Sequence, residues 1–281
     1  MIKENSYSFF RAVVFGIGFQ SFAHAGQPIT EDAETTAYVY VEYNPYIFET
    51  KIKAWHTFES PSLETNVGLL PNLQGHLITS VILYSPRKGS SHYWFGDNEA
   101  GIKYRFIQET ETIPQIAFYP KVTLPVGDVK QGTGLGGVTE SPALWFLKTI
   151  KAWKLSGGGG YTFSQAPNTF SYPFGGLLLQ REITKSLTLG GEFYGQGASL
   201  SHYGSTSIFT FGGNYNFTKN FALLFSVGHS IAGAETLTSY VGLDWTWGPD
   251  EPSKESKSQE SKVKSHSEPK DNSFKQPVHS K

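Results

Sequence analysis

The sequence predicts an all-β protein, a transmembrane up-and-down antiparallel β-barrel of about 12 strands. Three observations indicate this class: a leader typical of exported proteins, alternation of apolar and polar residues in many short segments, and a last segment in which the same alternation ends in two tryptophans. In that segment Val241, Leu243, Trp245 and Trp247 share one face, as a period of two requires, and tryptophan suits a boundary between lipid and water. Taken alone, the segment would also suit an edge or core strand of a soluble β-protein.

Residues 1–25 resemble a secretory signal peptide. Lys3 and Arg11 supply positive charge, residues 12–19 form a short apolar core, and Ala23-His24-Ala25 fits cleavage after Ala25. The core is too short for a transmembrane helix, which needs about 20 apolar residues. An uncleaved amphipathic start is the alternative. We therefore expect an exported protein of the bacterial outer membrane, with a periplasmic N-terminal segment over residues 26–38.

Composition narrows the class further. The chain has no cysteine, 38% apolar residues, 15% aromatic residues and 30 glycines. Few apolar residues but many aromatic ones are unusual for a soluble enzyme and ordinary for a barrel with a polar inside and a lipid-facing outside. The formal net charge of −1 gives no reason to expect nucleic acid as a partner.

The barrel is predicted over residues 39–247. In the first strand the apolar parity changes after Pro45, which predicts a bulge there and places Phe48 and Ile52 on the outer face. The later strands mostly alternate cleanly, although both faces of 140–148 and 171–181 carry apolar residues. The predicted strands are 39–55, 62–70, 74–84, 96–107, 113–124, 140–148, 152–163, 171–181, 186–196, 206–217, 220–229 and 237–247.

The predicted connections alternate in length. Odd-numbered connections are the longer ones, at residues 56–61, 85–95, 125–139, 164–170, 197–205 and 230–236, and even-numbered ones are mostly tight turns. Outer-membrane barrels show this alternation, with long loops outside the cell and short turns in the periplasm. After Trp247, residues 248–281 are rich in Lys, Ser, Glu and Pro, a composition typical of a disordered polar tail.

The polar faces of the predicted strands carry charges that should point into the lumen, because charge facing lipid is costly. These predicted solute-path residues comprise six acids and six bases, which argues against strong ion selectivity; structural ion pairs are the alternative role for each. They are Glu49, Lys51, Lys53, Glu64, Asp97, Glu99, Lys103, Arg105, Lys121, Lys154, Glu192 and Asp244. On the apolar faces, Trp153, Trp245 and Trp247 are predicted to be interfacial aromatic residues.

Four stretches resemble an outer-membrane family labelled "putative MetA-pathway of phenol degradation". They are V-E-Y-N-P-Y-I-F at residues 41–48, G-D-N-E-A-G-I-K-Y-R-F at 96–106, V-T-L-P-V-G-D at 122–128, and residues 231–247. The resemblance covers most of residues 39–247. It implies a twelve-stranded barrel that moves small, often aromatic, molecules across the outer membrane, and it implies no catalytic residue. The long tail departs from the family pattern, in which the chain stops near the last aromatic residue.

No motif predicts catalysis, a cofactor or a metal site. The run at residues 132–137 fits G-x-G-x-x-G, but a dinucleotide site needs a strand before it and a helix after it, and no helical pattern follows. The eight histidines lack metal-ligand spacing. Known barrel lipases carry a serine two residues after a histidine, and no predicted barrel histidine here has one.

We therefore predict a monomeric channel or transporter for passive uptake of small solutes, with aromatic or hydrophobic molecules as candidates. A barrel of this size sits between eight strands, which side chains fill, and sixteen, which enclose an aqueous channel. The expected partners are outer-membrane lipid, the barrel-assembly machinery through the C-terminal strand, and the solute. The alternative is a non-transport barrel, an adhesin or scaffold that binds partners through its external loops; a soluble binding module ranks third.

Overall fold

The structure is a computed structural model, and it describes residues 30–199, 204–233 and 236–249. The predicted signal peptide and almost all of the predicted tail lie outside these residues. Within the described residues, one short 3-10 helix, Val129–Gln131, interrupts an otherwise all-β fold. No helix in the described ranges has the length and apolar character needed to cross a membrane.

Fifteen strand segments form one sheet. Their bounds are β1 Val41–Ile52, β2 Trp55–Leu70, β3 Leu73–Pro86, β4 His92–Phe95, β5 Asn98–Ile107, β6 Gln115–Phe118, β7 Lys121–Leu124, β8 Thr139–Ser141, β9 Ala143–Ile150, β10 Trp153–Ser164, β11 Tyr172–Glu182, β12 Leu187–Gln196, β13 Thr206–Asn216, β14 Phe221–Gly233 and β15 Thr236–Trp247.

The sheet closes into an antiparallel barrel of twelve strands. Three of the twelve are interrupted, namely β4 with β5, β6 with β7 and β8 with β9, at Gly96-Asp97, Tyr119-Pro120 and Pro142. Around the ring the order is β3, β2, β1, β15, β14, β13, β12, β11, β10, β8–β9, β6–β7 and β4–β5, which returns to β3. The last strand pairs with the first, from Val41 opposite Trp247 to Ile52 opposite Thr236. The predicted fold class and strand number are confirmed.

Two details differ from the sequence prediction. The first connection is not a loop over residues 56–61, because β2 begins at Trp55 and only Lys53 and Ala54 separate it from β1. The last connection is equally short, so the alternation in loop length is weaker than predicted. The faces of β1 also do not reverse at Pro45: Phe48 packs against Leu224 and Tyr240 inside the barrel, next to an outward Ile47.

The wall is apolar outside and polar inside. Phe193, Phe209 and Phe211 are about half exposed on the outer face, whereas Glu192, Thr210 and Asn214, which point the other way, are buried. Every backbone N–H in such a closed sheet can find a partner within the wall, which is the condition for crossing hydrocarbon with strands. The exposed apolar surface is therefore the lipid-facing surface of a barrel in the bacterial outer membrane.

Candidate functional site in the lumen

The N-terminal segment, residues 30–38, lies inside the barrel. At its base, the backbone N–H of Val39 donates to the carbonyl of Gly68 at 3.0 Å, and that of Thr36 donates to Gln74 Oε1 at 2.8 Å. Ala33 and Thr36 are almost completely buried. The segment therefore turns inward from the end where β2 and β3 meet and is held by their inner faces.

The segment crosses the whole width of the lumen. The backbone N–H of Thr30 donates to a carboxylate oxygen of Glu192 on β12, whereas Thr36 bonds to Gln74 on β3. In the ring β12 is the sixth strand from β3 in either direction, so the two anchors lie on opposite walls. Thr30 also sits beside Gly176 on β11, where a Cβ would lie 3.2 Å from the Thr30 Cβ.

The carboxylate of Glu31 lies between two lysines of the barrel wall. Lys103 Nζ is 3.3 Å from Glu31 Oε2, and Lys121 Nζ is 3.4 Å from Oε1. Both ammonium groups lie over the ring of Tyr119, at 4.7 and 5.3 Å from its centroid, where the ring face attracts cations. Burial alone would raise the pKa of Glu31, but Lys103 and Lys121 outweigh it and hold the pKa at about 2.

A second ion pair holds the same segment. Lys154 Nζ on β10 lies 3.4 Å from Glu34 Oε1, and Asp32 lies 4.0 Å from Lys103. The three acids of the segment thus face lysines on one side of the barrel, on β5, β7 and β10. An acidic segment complements this basic side, as electrostatic matching between docked surfaces requires.

Next to Lys103 and Lys121, the inner faces of β6 and β9 carry apolar side chains. They include Ala117, Trp145 and Leu147, each at most 2% exposed, with Ala33 of the segment packed against Ala117 and Leu147. Tyr119 and Ala143 pack with Trp145, and Phe174 of β11 leans on them. We call Ala117, Tyr119, Ala143, Trp145 and Leu147 the apolar strip.

The wall at the segment's base carries a hydrogen-bond network. Asn66 Nδ2 donates to Glu64 Oε1 and Gln74 Nε2 donates to Asn66 Oδ1, both at 2.8 Å. His76 joins this network through Asn66 and also lies 3.3 Å from Glu99, which pairs with Lys121 at 3.0 Å. The anchor residue Gln74 is therefore fixed by its own neighbours before it accepts from Thr36.

Most predicted solute-path residues lie at inward positions, where several serve as anchors. Lys103, Lys121, Lys154 and Glu192 hold the N-terminal segment, as described. Glu64 and Asp244 are buried on the same inner surface, with Glu99 beside Lys121. Their role as a solute path remains a prediction.

Two other predicted residues hold the ends of the barrel. Arg105 donates to Asn72 and Gln115 near the short turns. The carboxylate of Asp97 accepts from the backbone N–H groups of Gly127 and Leu135, so it fixes the long 125–138 connection, which includes the G-x-G-x-x-G run, over one end.

Glu49, Lys51 and Lys53 are not in the lumen. Glu49 accepts from Ser239 at 2.9 Å and lies 2.8 Å from His56 Nε2. Glu49, Ser239 and His56 lie on the same outward face as Ile47. Lys51 shares this outward face, and Lys53 lies in the two-residue turn. The predicted face was wrong because Phe48, which alternation places on the lipid side, packs inside.

The three predicted interfacial tryptophans lie on the outer face and are 42–53% exposed. The guanidinium carbon of Arg181 lies over the Trp153 ring, 5.1 Å from the ring centroid. Trp245 and Trp247 belong to a chain of ring contacts at one rim, with centroids 4.9 Å apart, that continues to Tyr43 on one side and Phe221 on the other. Such a belt suits the level of the lipid headgroups.

Sequence reasoning missed the residues that close the lumen. Thr30, Glu31, Glu34 and Thr36 precede the barrel, and Trp145 stands in a strand whose two faces are both apolar. One signal was available: Glu31, Asp32 and Glu34 form an acidic run directly before a barrel whose polar faces carry lysines. Among the described residues, no group of acids and histidines is arranged to hold a metal ion.

Comparison with known families and structures agrees with this architecture. The family described as "Putative MetA-pathway of phenol degradation" matches residues 28–241, a range that includes the segment in the lumen. No curated protein matched the chain.

Two solved structures share the fold at low sequence identity. An outer membrane channel from Pseudomonas putida F1 has a TM-score of 0.64 and 12% identity, over 77% of this chain and 98% of that one. The translocator domain of the autotransporter NalP from Neisseria meningitidis has a TM-score of 0.51 and 8% identity, over 75% of this chain and 89% of that one.

Proposed function

Since this chain belongs to the family described as "Putative MetA-pathway of phenol degradation", we propose that it is a passive uptake channel for small solutes. The similar structure from Pseudomonas putida F1 is that of an outer membrane channel, which supports the same role. The solutes are small and include aromatic or hydrophobic molecules. The protein acts by selective passage and not by catalysis.

The observation that carries this proposal is the segment anchored on opposite walls of the lumen. A scaffold needs no removable occupant, because side chains alone can fill a narrow barrel. Here the occupant is a short chain segment held by four ion-pair contacts and a few hydrogen bonds. Local openings of this kind cost far less free energy than global unfolding, so the segment acts as a plug that moves aside while the wall stays intact.

The charges inside the lumen fit a channel with a closed resting state. When residues 30–36 leave, Lys103 and Lys154 lose the acidic partners that the segment supplies, whereas Lys121 keeps Glu99 at 3.0 Å. All three lysines then line the path. Asp244 of β15 lies across the lumen from these lysines, whereas Glu64 of β2 lies near them, 3.6 Å from His76, which also contacts Glu99. The open lumen therefore carries charges of both signs beside apolar side chains, which suits small solutes with an apolar body.

We further propose that the protein works as a monomer. The barrel closes on itself through β1 and β15, so one chain makes a complete path. The strand β15 is also the element that we expect the barrel-assembly machinery to recognise, through the alternation that ends at Trp245 and Trp247. No nucleic-acid partner is proposed.

Solute flux into proteoliposomes tests the channel function. A chain that lacks residues 30–36 should admit small sugars and organic acids several-fold faster than the full chain. The matched control lacks residues 250–281 instead and should behave as the full chain does. Folding of each variant is checked by heat-modifiable gel mobility. If the folded variant without residues 30–36 admits no solute, the channel proposal is wrong and the scaffold alternative stands.

A further inference from the structure

The contacts of Glu31 differ from those of an ordinary structural ion pair. Its two carboxylate oxygens go to two different lysines, at 3.3 and 3.4 Å, and both lysines lie over one aromatic ring. Lys103 is 7% exposed and Lys121 is 22% exposed. Lys121 also pairs with Glu99 of the wall at 3.0 Å, so the two ammonium groups and this one wall carboxylate leave a net positive charge. That charge forms a site for one further carboxylate, which charge-assisted hydrogen bonds make specific.

An apolar surface adjoins that site. The apolar strip begins at Tyr119, the ring beneath both lysines, and continues through Ala117 and Leu147, where Ala33 of the segment is packed. A second apolar cluster, with Phe48, Leu224 and Tyr240, lies on another part of the inner wall, but the apolar strip is the one that adjoins the two lysines. The segment thus presents a carboxylate to the lysines and, two residues further on, a methyl group to the strip.

We propose that this site binds the carboxylate of a small organic acid with an apolar body, and that Glu31 occupies it while the channel is closed. The inference rests on the proposed channel function and names its solute class. The acid's carboxylate takes the place of Glu31 between Lys103 and Lys121, and its apolar body lies along Tyr119 and the strip. Binding of solute and docking of the segment are therefore mutually exclusive.

The test is calorimetric binding of benzoate to the purified chain in detergent, which requires no transport. The variant Glu31→Ala vacates the site and should bind benzoate about tenfold or more tightly than the unmodified chain, because the solute no longer competes with an internal carboxylate. The variant Glu34→Ala is the matched control. It breaks a 3.4 Å ion pair in the same segment but leaves Glu31 to compete for the two lysines, so its gain in affinity should be much smaller than that of Glu31→Ala.

Two further ligands separate the parts of the site. In Glu31→Ala, acetate keeps the carboxylate without the apolar body, and phenol keeps the ring without the carboxylate. Both should bind more weakly than benzoate. Adding Lys103→Met and Lys121→Met should abolish the gain for benzoate; the ligand comparison stands even if that variant does not fold.

The outcomes distinguish this inference from the channel function itself. Equal binding of phenol and benzoate, or an equal gain in Glu34→Ala, overturns the carboxylate site, whatever the flux measurements give. Tight benzoate binding in Glu31→Ala supports the site. If the chain without residues 30–36 also fails to conduct, the site is real but the channel proposal is wrong.

Discussion

At the scale of the residue, the outward position of Phe211 makes it a test of the register. Phe211 lies at the middle of β13 and is 50% exposed on the outer face. Arginine in its place would put a charge against hydrocarbon near the midplane, at a cost of about 2–4 kcal/mol. We expect Phe211→Arg to lower the free energy of unfolding by that amount in a urea titration in lipid. Phe211→Leu should lose much less, and equal losses would refute the outward assignment.

A second residue-scale prediction concerns close packing between strands. Gly158 on β10 has φ +148°, and a Cβ there would lie 2.1 Å from the carbonyl oxygen of Leu144 and 2.9 Å from the Trp145 Cα. Because backbone atoms cannot yield as a side-chain end can, Gly158→Ala should destabilise the barrel by about 1–3 kcal/mol. The control is Gly195→Ala, whose nearest neighbour would be 3.5 Å away. Thermal unfolding monitored by gel mobility compares them, and similar midpoints would contradict the packing.

The faces of most strands could be predicted from sequence because lipid requires apolar side chains on the outer face. The exceptions arise on the inner surface, where both polar and apolar side chains are tolerated. Phe48 is apolar and faces inward against Leu224 and Tyr240, so alternation placed it outside and carried Glu49 to the wrong face. Trp145 posed the same problem in β9. An apolar residue thus identifies the lipid side only where its neighbours on the same strand are polar.

At the scale of the element, the N-terminal segment should resist mild acid. An unperturbed glutamate has a pKa of 4.5, and the lysines lower that of Glu31 to about 2. A lowered pKa means that the ion pairs stabilise the docked segment fully above pH 4.5 and less as pH falls towards 2. Channel flux should therefore stay flat from pH 7 to 5 and rise only below about pH 4.

The matched variant for this prediction is Glu31→Gln, which removes the titrating group at constant size. Its flux should exceed that of the unmodified chain at pH 7 and lose the rise below about pH 4. A rise in the unmodified chain that is already complete by pH 5 would show that Glu31 does not hold the segment.

The hairpin of β1 and β2 illustrates a limit of turn signals. The first connection is predicted over residues 56–61, but β2 runs through this range with a bulge between Glu59 and Ser62, and the turn lies at Lys53-Ala54. Proline cannot donate to a ladder, and a bulge accommodates it without ending the strand. The sequence thus indicates a real irregularity in this range, but the irregularity is a bulge within a strand and not a loop between strands.

At the scale of the whole molecule, the two rims of the barrel should face different compartments. Lys88 lies in the β3–β4 connection and Thr218 in the β13–β14 turn, at opposite ends of the wall. We expect a cysteine at Lys88 to react with a membrane-impermeant thiol reagent on intact cells and one at Thr218 to react only after lysis. The chain has no cysteine of its own, so background labelling is absent. The reverse pattern would invert the barrel.

The architecture could be predicted from sequence, whereas the closed lumen could not. Strand number and closure follow from local alternation and from the pairing that a membrane imposes. The docking of Glu31 between Lys103 and Lys121 joins residues 72 and 90 positions apart, and no local pattern encodes such contacts. The sequence could have indicated only that the segment and the lumen carry opposite charges.

The central claim is that residues 30–36 obstruct the lumen, and a reversible tether tests it most directly. A Cβ on Gly176 would lie 3.2 Å from the Thr30 Cβ, close to the separation of about 3.8 Å in a disulfide. The double variant Thr30→Cys, Gly176→Cys should therefore lock the tip of the segment to β11 when oxidised.

Single-channel conductance of this variant is recorded in planar bilayers before and after addition of a reductant, beside each single cysteine variant. The account predicts few opening events in the oxidised protein and several-fold more after reduction, with no response in either single variant. Equal opening in the oxidised and reduced protein would contradict a plug in the lumen.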